Sequence, residues 1–165
     1  MILGMSLSSF TILHTVISLI GIAAGIIAIV GLLGGRMLGG WTALFLTTTL
    51  LTCITGFMFP FNTLLPSHIV GVITLAALAV AFFALYSKHL TGAWRWTYVA
   101  SAVLSLYLNS FVGVVQAFQK LPFLQPLAPT QSEPPFLIAQ TILLVVVIAV
   151  GIVAARKFRP QVAMA

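Results

Sequence analysis

Residues 10–33 read FTILHTVISLIGIAAGIIAIVGLL. No side chain in this stretch is acidic or basic apart from one histidine, and its other polar groups are hydroxyls. An α-helix rises about 1.5 Å per residue, so about 20 residues cross the roughly 30 Å of hydrocarbon in a bilayer. The stretch therefore predicts a transmembrane helix. Four more stretches of the same kind follow, at about 41–59, 69–86, 97–118 and 136–155. Proline breaks helix interiors. All eight prolines (Pro60, Pro66, Pro122, Pro126, Pro129, Pro134, Pro135 and Pro160) fall outside these five spans.

Composition agrees with this reading. The chain is 61% hydrophobic and 5% charged, against roughly 25% charged in an ordinary soluble domain. Eight charged side chains could not cover the surface of a soluble domain of this size, so lipid has to be much of the solvent. The expected fold is all-α: a polytopic membrane helix bundle of five transmembrane helices, forming a single domain over 1–165. The N-terminal residues lack a basic segment ahead of the apolar run, and the run is too long for a signal-peptide core, so it is expected to be retained as the first span.

The net charge of +6 is not gathered into a patch of the kind nucleic acid needs. The cations stand at the ends of apolar runs, as membrane proteins keep them. Arg36 lies in the first loop, Lys88 and Arg95 flank the third, and Arg156, Lys157 and Arg159 follow the last span. An odd number of spans puts these six on one side and leaves Lys120 on the other. The positive-inside rule makes the richer side cytoplasmic, with the N-terminus outside. Trp41, Tyr86, Trp94, Trp96 and Tyr98 fall on that same side, as an interfacial aromatic belt does. The outer loops are then 60–67 and the proline-rich 119–135. A segment so rich in proline is expected to be stiff and extended, either as a cap over the outer mouth or as a plain connector.

Helix contacts in lipid are marked by small and polar residues. His14, Ser18, Gly21, Gly25 and Ala28 make one such stripe, with Gly21 and Gly25 forming a GxxxG. Ser101, Ser105, Asn109, Gly113, Gln116 and Lys120 make a second, and Thr48, Thr52, Thr55 and Gly56 a third. These stripes are expected to face one another.

Much chemistry is excluded. Glu133 is the one acidic residue, so one copy has no paired carboxylates for glycoside hydrolysis, no acid to complete a Ser-His-Asp triad and no intramembrane carboxylate for ion coupling. Neither a G-x-S-x-G elbow nor a phosphate loop is present. The single cysteine, Cys53, permits no intrachain disulfide. What remains is a set of polar residues in the outer half: His14, His68, Gln116 and Gln140 about a turn from the outer boundary, with Asn109 deeper. Two histidines at matched depth on separate helices are what axial ligation of a b-type haem requires. With Met58 and Cys53 nearby, copper is the other cofactor that fits such donors. The alternative for each residue is structural: an interfacial histidine needs no ligand, and a midplane amide serves as a hydrogen bond between helices.

The segments LHTVISLIGIAAGIIAIVG, TCITGFMFP and PSHIVGVITLAALAV, with YLNSFVGVVQAFQKLPFLQPLAPTQSEPPFLIAQ, resemble a family of small bacterial inner-membrane proteins of uncharacterised function. The matching positions are His14, His68, Asn109, Gln116, Glu133 and Gln140. The resemblance implies a bacterial inner-membrane location and carries no activity with it. Three functions fit these readings. The first is an accessory or scaffold subunit working with a protein partner or a second copy. The second is a haem- or copper-binding redox protein using His14 and His68. The third is a small oligomeric channel or exporter.

Overall fold

The computed structural model describes residues 2–60 and 66–160. Most of the expected 60–67 loop, at 61–65, and the last five residues lie outside the described residues. Five α-helices make up the bundle: α1 Leu7–Leu33, α2 Gly39–Phe57, α3 Pro66–Phe82, α4 Trp94–Lys120 and α5 Pro134–Lys157. A π-helical turn at Phe83–Ser87 prolongs α3. All five helical segments are long and apolar enough to span a membrane. The protein is an all-helical, multi-pass membrane bundle. Helices suit lipid because each satisfies its own backbone hydrogen bonds where no water can do so.

The helices start earlier than the apolar runs suggest, and for α1, α3 and α5 the start has a local cause. Ser6 caps α1, its hydroxyl accepting from the Ser9 amide at 3.1 Å. Pro66 opens α3, while Pro134 and Pro135 open α5. These three prolines lie inside helices rather than outside them. A first-turn proline gives up no intrahelical bond and brings its φ already set.

Packing is pairwise. α1 lies chiefly on α2, α3 on α4, and α5 against α4 and α1. The GxxxG faces the interior as expected, with Gly21 and Gly25 both buried. A Cβ on Gly25 would stand 2.8 Å from Leu106 Cδ1 of α4 and 2.8 Å from Phe45 Cδ2 of α2, so three helices meet where only glycine fits. The opposite face of α1 is open, Val30 being 57% exposed. Ser101 and Ser105 are buried too, but their hydroxyls donate back to the Thr97 and Ser101 carbonyls at 2.8 Å. They let helices approach without bonding across. Gly113 also faces α1, a Cβ there lying 3.2 Å from Ile22 Cδ1.

The proline-rich loop is compact, which corrects the extended form expected of it. A turn follows α4, then a 3₁₀ turn at Gln125–Leu127, and Ala128 is buried with Phe118 and Phe136. Gln131, at φ 59°, donates from Nε2 to the Val115 carbonyl at 3.2 Å. Glu133 accepts from the Thr130 hydroxyl at 2.8 Å, the Thr130 amide at 3.2 Å and the Ser132 amide at 3.1 Å. An apolar anchor and local hydrogen bonds outweigh the extended preference of isolated prolines. Phe123, Leu127 and Leu121 project outward from it, 40% exposed or more.

At the far end of the bundle, Arg95 Nη1 donates to the Phe158 carbonyl at 2.6 Å. Gly35 lies close to the Lys157 carbonyl. The chain crossings and these contacts place Arg36, Lys88, Arg95, Arg156, Lys157 and Arg159 at one end, with Lys120 and Glu133 at the other.

Candidate functional site

Asn109 of α4 is buried, 6% exposed. An amide in an apolar interior costs free energy unless it is bonded. Its Oδ1 accepts from Ser18 Oγ of α1 at 3.0 Å, and its Nδ2 points to the Ser18 carbonyl at 3.5 Å, the limit of such a bond. Gly21 makes the room: a Cβ there would lie 3.1 Å from Thr48 Oγ1, 3.2 Å from Asn109 Nδ2 and 3.3 Å from Thr49 Oγ1. The backbone of α1 thus closes over three polar side chains from α2 and α4. Thr48 donates to the Leu44 carbonyl at 2.7 Å. Thr49 Oγ1 is buried without a hydrogen-bond partner, as is Gln140 Oε1.

Two turns toward the N-terminal end of α1, His14 Nδ1 meets Thr55 Oγ1 of α2 at 2.7 Å. The Thr55 hydroxyl already donates to the Leu51 carbonyl at 2.7 Å, so it accepts from the imidazole. The Nδ1 proton is therefore held, and Phe59 packs its ring against the imidazole with centroids 5.3 Å apart. His68, 7% exposed, stacks instead on Phe57 at 5.7 Å and 26°. Thr55 and Gly56 project from one side of the last turn of α2, while Phe57, 200° round from Thr55 at 100° per residue, projects from the other. His14 is at the first side, close to Gly56, and His68 is at the second. The two imidazoles are thus held by different residues at the end of α2: His14 by Thr55 and Phe59, His68 by Phe57. Cys53 is buried in the apolar core.

The remaining candidates disperse. Gln140 of α5, 9% exposed, donates from Nε2 to the Phe111 carbonyl at 3.2 Å. Gln116 stays on its own helix, donating to Gln119 Oε1 at 3.3 Å on an exposed face. These residues thus form separate contacts: α1 with α2 at His14, α1 with α4 at Asn109, α4 with α5 at Gln140, and α2 with α3 at His68. Matched depth is a coordinate along the membrane normal; azimuth around each helix decides what meets, and it separates them. The sequence reading missed Thr49, which the Asn109 level encloses, and Phe57 and Phe59, which hold the histidines. A threonine directly beside Thr48 and aromatic residues closing an apolar span were the available signals.

Comparison with protein-family models, with curated proteins and with solved structures gave no match. The functional reading rests on the chain's own residues.

Proposed function

We propose that this chain is a scaffold or accessory subunit of a larger assembly in a bacterial inner membrane, with its N-terminus outside and its C-terminus in the cytoplasm. One observation carries the reading. Three polar side chains suited to chemistry, His14, Asn109 and Gln140, each bond to a neighbouring helix. Their role in this arrangement is to fix which helices touch. The clustering of six cations at one end supports the orientation through the positive-inside rule.

Passage of a solute through one copy is disfavoured by the contact at Gly25, where Phe45 and Leu106 fill the space between α1, α2 and α4. A pore would have to run between copies. The redox reading would need His14 and His68 to leave the separate contacts with Thr55, Phe59 and Phe57 that hold them.

The test is gentle purification of the tagged chain from its native membrane, after brief crosslinking, with a visible spectrum and metal analysis of the product. The expected product contains other polypeptides in fixed ratio to the chain and shows no Soret band. A preparation of one uncomplexed copy refutes the scaffold reading. A Soret band lost in His14→Ala or His68→Ala replaces it with the redox reading.

A further inference from the structure

On the lipid-facing side of α3 and α4 lies a groove of about 530 Å³. Ala76 and Ala77 line one wall, Ala100 and Ser101 the other; side chains this short leave the space between the helices unfilled. The Ser101 hydroxyl is turned to the Thr97 and Tyr98 carbonyls, so the groove offers no free polar group there. It runs from Ile73 and Leu104 to Val80 and Thr97. That is about 10 Å at 1.5 Å per residue, two-thirds of a leaflet in roughly 30 Å of hydrocarbon. A partner's transmembrane helix would need a seam across both leaflets. A groove only about 10 Å long is too short for such a seam and suits part of an acyl chain.

The mouth of the groove is built as well. One turn beyond Val80 and Thr97 stand Phe83 and Trp94, packed edge to face at 5.2 Å. Lys88 Nζ lies over both rings, 5.4 Å from the first centroid and 5.8 Å from the second. The π turn puts it there. The Lys88 amide donates to the Phe83 carbonyl at 3.0 Å, an i to i−5 bond that stacks residue 88 over residue 83; an α-helix would stack Ser87 there. The chain then reverses through left-handed residues at His89, Leu90 and Gly92, with φ of 47°, 58° and 54°. Left-handed backbone at Leu90 is strained and persists where its surroundings hold it. Leu90 is buried and its amide donates to the Ala84 carbonyl at 3.0 Å. Its neighbour cation Arg95 is engaged with the Phe158 carbonyl and lies 4.3 Å from the Trp96 ring centroid. Among the described residues the one acidic side chain, Glu133, is at the opposite end of the bundle from Lys88.

We infer that this groove and its lysine form a site for one anionic phospholipid, with an acyl chain along Ala76 and Ala100 and the headgroup phosphate against Lys88. Basic pockets between transmembrane helices recognise anionic headgroups in this manner. The inference needs only the basic end at a headgroup layer, and it stands apart from the scaffold reading.

Native mass spectrometry of the full chain in mild detergent tests it, with phosphatidylglycerol and phosphatidylcholine of identical chains supplied together. The wild type should retain one phosphatidylglycerol with about fivefold preference, which is what a single cation supplies at an anionic surface. Lys88→Gln should abolish the preference, and Lys120→Gln, at the other end, should leave it intact. Ala100→Leu and Ala76→Leu, both at exposed positions, should each lower retention of both lipids without disturbing the fold. Quenching of Trp94 by brominated phosphatidylglycerol, read in Trp41→Phe/Trp96→Phe protein, should exceed quenching by brominated phosphatidylcholine and should not need either leucine variant to fold. Equal retention of the two lipids, a preference surviving Lys88→Gln, or equal quenching of Trp94 overturns the assignment.

Discussion

Gly25 is the position at which the bundle's packing can be tested most sharply. Carbon atoms pack comfortably at about 3.5–4.0 Å, and a Cβ on Gly25 would lie 2.8 Å from both Leu106 Cδ1 and Phe45 Cδ2. The first added methyl is therefore short of contact distance by about 0.7 Å or more on two helices at once. Both neighbours are buried, Phe45 at 1% and Leu106 at 7% exposure, so neither can swing into open lipid. Overpacking of this kind costs about 1–3 kcal/mol, partly offset by the roughly 1 kcal/mol that alanine gains over glycine in a helix. Gly25→Ala should thus cost up to about 2 kcal/mol, and Gly25→Leu more, because three further carbons have to part α1 from α2 and α4. Gly21→Ala meets its neighbours at 3.1–3.3 Å and should be near neutral. Cys53, the sole cysteine and buried, supplies the assay: a fluorogenic maleimide reports its exposure during a thermal ramp in detergent. At roughly 2–4 °C per kcal/mol for a chain of this size, Gly25→Ala should melt several degrees below wild type and Gly25→Leu lower still. Val30→Leu, on the open face, should match wild type. If Gly25→Leu leaves the melting temperature and the particle size unchanged, α1 does not pack as described and the argument built on Gly21 and Asn109 falls with it.

Two further outcomes follow from the bundle. Topology reporters fused after Ala165 or within 34–40 should read as cytoplasmic and one within 125–133 as periplasmic; a periplasmic C-terminus reverses the proposed orientation. At Glu133 desolvation raises the pKa, but the hydrogen bonds from the Thr130 hydroxyl and from the Thr130 and Ser132 amides outweigh it and hold it below the ordinary 4.5. Its folded value is the depressed one, so the contribution to the loop is present above pH 4.5 and is lost as pH falls through the lower folded value. Amide protection across 128–133, taken relative to the intrinsic exchange rate at each pH, should fall on acidification in wild type and be low already at neutral pH in Glu133→Gln; protection independent of pH would contradict the contacts described.

The architecture was legible because its cause is one-dimensional. A run such as 10–33 meets the bilayer's length requirement whatever its neighbours do, and the GxxxG at Gly21 and Gly25 states its role through size alone. The starts of α3 and α5 were displaced for an equally local reason: Pro66 and Pro134 are excluded from helix interiors but welcome in a first turn, and a rule that treats proline only as a breaker starts the helix too late. The loop at 121–133 was misjudged because its conformation depends on Ala128 reaching Phe118 and Phe136, a contact between segments that no local preference of proline encodes.

The site was less legible because depth and azimuth are separate coordinates. His14 and His68 share a level, and the sequence supports that much; which side of α2 each one faces depends on how α1 and α3 dock, and the dock is decided at Gly25, Thr55 and Phe57 rather than at the histidines. The lysine at the mouth of the α3–α4 groove shows the same limit more sharply. In an α-helical reading, Lys88 trails the end of a span and takes its place among the inside cations. One i to i−5 hydrogen bond moves it from beside Phe83 to a place above it, and that shift of a single residue in register turns a generic interfacial charge into the head of a lipid-sized groove. Positive-inside counting weighs all six cations of that end alike. The structure separates them: Arg95 is spent on the Phe158 carbonyl, and Lys88 is set over two aromatic rings where an anionic headgroup would meet it.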